Sequence, residues 1–146
     1  MNINATGLDF CDLNEALRQS RGSCTITHCL GQRFLAAGIS DKTVTVSGIP
    51  GNALGAYLNG AKIEVMGNAQ DAVGDTMNDG TIVIHGNVGD AVGYAMRGGH
   101  IYVRGNACYR AGTTAGNVPN RGNGTVTQVQ AAQRVRYSIK PERNIP

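Results

Sequence analysis

The sequence predicts an all-β fold, a solenoid of about four or five stacked coils with nineteen residues in each. Two glycine rows carry that reading: Gly48, Gly67, Gly86 and Gly105 recur every nineteen residues, as do Gly55, Gly74, Gly93 and Gly112. A short β-type run precedes each glycine of the first row: Val44–Val46, Ile63–Val65, Ile82–Ile84 and Ile101–Val103. Composition agrees, with 21 glycines among 146 residues, no tryptophan and only seven other aromatics. Glycine at twice its usual share of roughly 7 %, without a Gly-X-Y period, marks tight corners and excludes collagen.

The chain reads as a single domain over residues 1–146, with a helical cap over 1–24, coils over 25–115, and a loop and basic tail over 116–146. Residues 9–20 predict the one clear helix. Asp12 is the expected N-cap, Glu15 would close a capping box, Leu13, Ala16 and Leu17 form the apolar face, and Gly22 stops it. Its expected task is to cover the open end of the first coil, where a bare core and unpaired strand edges would otherwise meet water.

Thr25-Ile26-Thr27 begins a strand, and Gly31–Gly38 reads as a degenerate coil, with Gln32–Gly38 laid beside Asn52–Leu58. In the regular coils, alternation along each run points Val44 and Val46, Ile63 and Val65, Ile82 and Ile84, and Ile101 and Val103 inward. Leu54, Val73, Val92 and Ala111 continue the core on a second side, and Leu58, Met77, Met96 and Ala115 on a third.

Outward positions form two ladders, Thr45/Glu64/Val83/Tyr102 and Ser47/Met66/His85/Arg104. Met66, Val83 and Tyr102 make this face more apolar than a solvated one requires. Together with His85 and Arg104 it is the candidate partner face, weighed against ordinary exposed apolar surface. Asn68, Asn87 and Asn106 follow the first glycine in register, where asparagine suits left-handed corners and its amide can bond from coil to coil. Asp71 and Asp90, with Asn52 in the same slot, are expected to cap turn amides; carboxylates that recur once per coil are turn-formers before they are a catalytic pair.

The pattern stops near Gly112. Thr113–Gly124 reads as loop, and Arg134–Lys140 alternates as one further strand with Val135, Tyr137 and Ile139 inward, to cover the far end or pair with another chain. The net charge of +3 is concentrated in this tail, where Arg121, Arg134, Arg136, Lys140 and Arg143 face Glu142 alone. Without interleaved aromatics it predicts a solvated or partner-docking tail and not a nucleic-acid surface.

Several chemistries are excluded or unsupported. No apolar run approaches 18 residues, so no membrane-spanning helix is expected, and the first residues lack the basic and apolar regions of a signal peptide. The expectation is a cytoplasmic protein whose Cys11, Cys24, Cys29 and Cys108 are reduced, structural thiols. There is no CxxC, no HExxH and no Gly-x-Ser-x-Gly; His28, His85 and His100 are scattered without an evident orienting partner. The run Gly86–Gly93 has the wrong spacing for a phosphate-binding loop. No catalytic, cofactor or metal site is predicted on this chain.

Gly67-Asn-Ala-Gln-Asp-Ala-Val-Gly74, Gly86-Asn-Val-Gly-Asp-Ala-Val-Gly93, Met96-Arg97-Gly98-Gly99, the Leu13–Leu17 helix and Gly31-Gln32-Arg33 resemble the GXGXG domain family over about residues 7–112. That domain is the C-terminal β-helix of the glutamate synthase large subunit and recurs in one of the subunits of formylmethanofuran dehydrogenase. The resemblance implies a right-handed parallel β-helix, the hand expected of parallel β crossovers. It also implies a non-catalytic scaffold that packs against catalytic domains.

Met1-Asn2 offers no N-terminal cysteine nucleophile, and the length cannot hold a flavin-binding barrel, which needs about 250 residues. The expected partners are therefore amidotransferase and flavoprotein subunits of an oxidoreductase complex, which would carry FMN and iron–sulfur clusters. Self-association as a free-standing solenoid, or membership of a formylmethanofuran dehydrogenase-like complex, are the alternatives. An enzyme using an outward histidine such as His85 is a further one.

Overall fold

In a computed structural model, residues 1–107, 124–130 and 133–138 are described. Eight strands form one sheet in chain order: β1 (Asn2–Asn4), β2 (Ser23–Leu30), β3 (Thr43–Ile49), β4 (Asn59–Val65), β5 (Asp79–Ile84), β6 (His100–Val103), β7 (Thr125–Gln130) and β8 (Gln133–Ser138). Helix α1 (Phe10–Gln19), the only one among the described residues, lies between β1 and β2. Neighbours run parallel from β1 to β7, and β8 returns antiparallel against β7. The fold is a right-handed parallel β-helix of about five turns.

The core is built by the strand ladders. Val44 pairs in register with Ile63, Ile63 with Ile82 and Ile82 with Ile101; Val46, Val65, Ile84 and Val103 form the parallel row, and all eight are buried. Across the coil, Leu35, Leu54, Val73 and Val92 form a second buried row, and Leu58, Met77 and Met96 a third. Each such aliphatic contributes about 1.5–3 kcal/mol by leaving water. Ala111 and Ala115, expected in these rows, lie outside the described residues, as do Gly112 and Cys108.

The turn between strands has its own regular backbone. Three alternating residues per coil take left-handed φ: Ala53, Gly55 and Tyr57, then Ala72, Gly74 and Thr76, then Ala91, Gly93 and Ala95. This alternation sends successive amides in opposite directions along the stack. Ala53 N–H donates to Asp71 O of the next coil at 2.9 Å, Gly55 N–H to Leu35 O of the preceding one at 2.8 Å, and Tyr57 N–H to Asp75 O of the next at 2.8 Å. The turn therefore bonds to both neighbours, as a strand does.

The two glycine rows serve different purposes. Gly74 has φ +70°, where a glycine avoids the cost of a Cβ. Gly86 has no such φ, and the corner reading needs correcting there: a Cβ would lie 2.7 Å from the carbonyl carbon of Gly67. Gly105 is crowded in the same way by Gly86 and the Asn87 side chain, whereas Gly48 combines φ +107° with a close approach to Cys29 and a Cβ at Gly67 would meet only ordinary contact.

The ends depart from expectation. The N-cap of α1 is Asp9, not Asp12: the Asp9 carboxylate accepts from Asp12 N–H at 2.8 Å. Glu15 closes no capping box and instead pairs with Arg18 at 2.9 Å and with Gln19 at 3.2 Å. The cap is more than a helix, since β1 already pairs with β2 and α1 is inserted in the first coil. The degenerate coil aligns one residue away from the expected pairing: Phe34 N–H donates to Asn52 O and Gly51 N–H to Gln32 O, which sets Arg33 beside Asn52. At the far end, Thr125–Gln130 is a strand continuing the parallel sheet, in place of the loop and tail expected from 116 onward. The strand expected over Arg134–Lys140 is β8, and it pairs antiparallel with β7 of its own chain. The predicted loop Thr113–Gly124 and the rest of the basic tail lie almost wholly outside the described residues.

Candidate functional site

The sheet's outer face gathers the predicted partner residues. Strand alternation turns Thr45, Glu64, Val83 and Tyr102 outward in one register row, and Ser47, Met66, His85 and Arg104 in the row beside it. Met66 is 51 % exposed and Tyr102 37 %, while Val83 is half-buried between its neighbours. Met66 stands in the row of His85, one row away from Val83 and Tyr102, so these apolar groups form a diagonal and not one file.

A polar chain crosses the same face. His85 Nε2 lies 2.6 Å from Glu64 Oε2, and Arg104 Nη1 lies 3.3 Å from His85 Nδ1. The sequence shows no orienting partner for His85 because Glu64 is 21 residues away. The pair is a diagonal cross-strand contact that emerges only once the nineteen-residue register is set beside the two-residue alternation of a strand. The His85 hydrogen bond holds the Glu64 carboxyl below the usual carboxylate range, opposed by its desolvation and aided by the charges of His85 and Lys62. Guanidinium has no acceptor, so in its neutral form His85 would carry the Nε2–H tautomer, donating to Glu64 and accepting from Arg104. His100 is engaged separately, with Nδ1 2.7 Å from Thr125 Oγ1 and its ring stacked on Tyr102 at 6.1 Å between centroids.

The recurring amides and carboxylates of the turns are used by the fold. Asn68 Oδ1 accepts from Asn87 N–H, and Asn87 Oδ1 from Asn106 N–H, each at 2.8 Å. Asn52 Oδ1 accepts from Asp71 N–H at 3.0 Å, and Asp71 Oδ1 from Asp90 N–H at 2.8 Å. Each side chain bonds to the backbone of the same position one coil on. The Gly86–Gly93 run likewise gives its Gly89, Ala91 and Gly93 amides to Gln70 O, Asp90 Oδ1 and Val73 O, which leaves no cradle for a phosphate.

Among the described residues no group of three or more His, Cys, Asp or Glu could hold a metal, and no helix is long and apolar enough to cross a membrane. Cys11, Cys24 and Cys29 are free thiols. Burial pushes the Cys29 thiol up to about 11, against a weaker lowering by a hydrogen bond from the Gln32 backbone. It is poorly suited to act as a nucleophile.

One exposed apolar region is not foreseen from the sequence. Leu30, Phe34 and Ile49 are 77 %, 43 % and 40 % exposed, and all three belong to the first coil or its neighbour. The available signal is the apolar Leu30 next to a glycine in a coil that already reads as degenerate.

Fold and turn together define a class: a parallel β-solenoid whose corners are built from alternating left-handed residues. The family model described as GXGXG motif matches residues 14–129, and the chain belongs to that family. Only the middle one of the three left-handed positions is glycine in each of the three regular coils; alanine, tyrosine and threonine fill the others. No characterised protein and no solved structure matches the chain significantly.

Proposed function

We propose that this chain is a non-catalytic scaffold subunit of a glutamate-synthase-like oxidoreductase complex, holding an amidotransferase subunit and a flavin-containing subunit together. Membership of the GXGXG family over residues 14–129 carries this reading. Two features of the chain support it. The recurring asparagines and aspartates are used in coil-to-coil bonds, and the outward Met66, Tyr102, His85 and Arg104 offer a flat face of mixed polarity, such as a protein partner covers. FMN and iron–sulfur clusters would sit on the partners, and the complex would act in glutamate formation in the cytoplasm.

Purification of the tagged chain at native expression tests the proposal. The expected result is co-elution of an N-terminal-cysteine amidotransferase and an FMN protein, lost in the Met66→Glu/Tyr102→Glu double variant. A chain that elutes without either partner overturns it.

A further inference from the structure

Strand β1 covers β2 only from Thr25 to Thr27, because after Ala5 the chain turns away toward α1. Beyond that point β2 carries a bulge, with His28 at φ 59°, and its last residues lose their neighbour on that side. An open groove of about 680 Å³ results, lined by Leu8, Asp9, His28, Cys29, Leu30 and Gln32. On its rim stands Leu30, 77 % exposed and in register with the half-exposed Ile49 of β3. A shallower extension reaches Phe10 and Arg33, and the Arg33 guanidinium lies 5.0 Å from the Phe10 ring and 5.8 Å from the Phe34 ring.

One donor of the bare strand edge is already used by a side chain. Leu30 N–H donates to Gln32 Oε1 at 2.7 Å, and Gln32 Nε2 donates to Leu8 O at 2.9 Å and Ala5 O at 3.1 Å. With Leu30 N–H turned to Gln32, the surface at the rim of the groove is made mainly of side chains. It carries an apolar knob and an apolar groove on one patch, together with an acid, Asp9, and a base, Arg33. A patch holding both halves of a contact is self-complementary, which is what an isologous two-fold interface requires.

We propose that this corner is a homodimer interface, in which Leu30 of each copy enters the groove of the other and Arg33 faces the opposing Asp9. The patch ends on β3; Met66 follows on the next strand, and His85, Tyr102 and Arg104 lie two or three strands further along the sheet.

Sedimentation of the full chain over a dilution series up to about 100 µM tests this. The expected result is a reversible monomer–dimer equilibrium that Leu30→Asp weakens at least about tenfold, with the far-ultraviolet spectrum of the wild type. Ile49→Lys, on the neighbouring strand, is expected to weaken it in the same direction, whereas Tyr102→Asp, three strands further along the sheet, leaves it unchanged. A wild-type monomer at every concentration overturns the proposal, as does a dimer that survives both Leu30→Asp and Ile49→Lys. Neither result bears on co-elution with an amidotransferase and a flavoprotein.

Discussion

In the middle coils and at the N-terminal end, the same backbone bonds are made by different means. Gly55, Gly74 and Gly93 each donate an amide to the preceding coil, to Leu35 O, Leu54 O and Val73 O. Ala36 holds the same position one coil earlier and has no preceding turn to bond. The side chain of Asn14, buried on α1, takes its place: Oδ1 accepts from Ala36 N–H at 2.8 Å, and Nδ2 donates to Phe34 O at 2.9 Å. One asparagine thus imitates a coil that is absent. In the middle of the stack each bond is one of a row, while at the end a single residue carries the whole function.

That contrast predicts unequal costs of mutation. Asn14→Ala removes both bonds and leaves the buried Ala36 N–H unpaired, while Phe34 O keeps its bond from Ala37 N–H, so a loss of roughly 2–4 kcal/mol in urea unfolding is expected. A loss no larger than that of a turn asparagine would break the comparison. Gly86→Ala drives a methyl onto the backbone of the preceding coil and is expected to cost about 1–3 kcal/mol, since the stack has to part locally. Asn87→Ala deletes one exposed rung of its row, that to Asn106 N–H, and should cost only about 0.5–1.5 kcal/mol.

The smallest effect concerns pH. Cys29 titrates at about 11 when folded against 9.0 as its ordinary value. Its raised value favours the folded state fully below pH 9, and this contribution is removed above that pH, because the unfolded chain ionises first. A Cys29→Ala variant should therefore lose less stability than the wild type between pH 9 and 11. An identical decline in both would remove the effect.

Legibility in the sequence follows the same division. The inward placement of Ile63, Ile82 and Ile101 is readable because each position is stated four times and the repeats confirm one another. Asn14 and Gln32 are invisible because each acts once, across 22 and 27 residues, on backbone atoms that leave no mark in the sequence. Asp12 reads as the cap because it begins an Asp-x-x-Glu pattern; Asp9 stands three residues before it and fills the role. The Glu64–His85 contact lies between these cases, since both residues read as outward but in separate rows.

The alternating left-handed turn has a further bearing on how this chain can change in length. Forward and backward amides alternate every two residues there, so one added residue would put the left-handed positions out of phase and two would exchange the forward and backward neighbours. Phe34, Ala53, Ala72 and Ala91, the first left-handed residue of each coil, keep a spacing of nineteen without exception. The sheet does not: Cys24 pairs with Val44 but Cys29 with Gly48, and Asn59 with Asp79 but Lys62 with Thr81. Both irregularities are absorbed within strands, by the bulge at His28 and near Gly60. The turn is the ruler of the repeat, and the strands hold its slack.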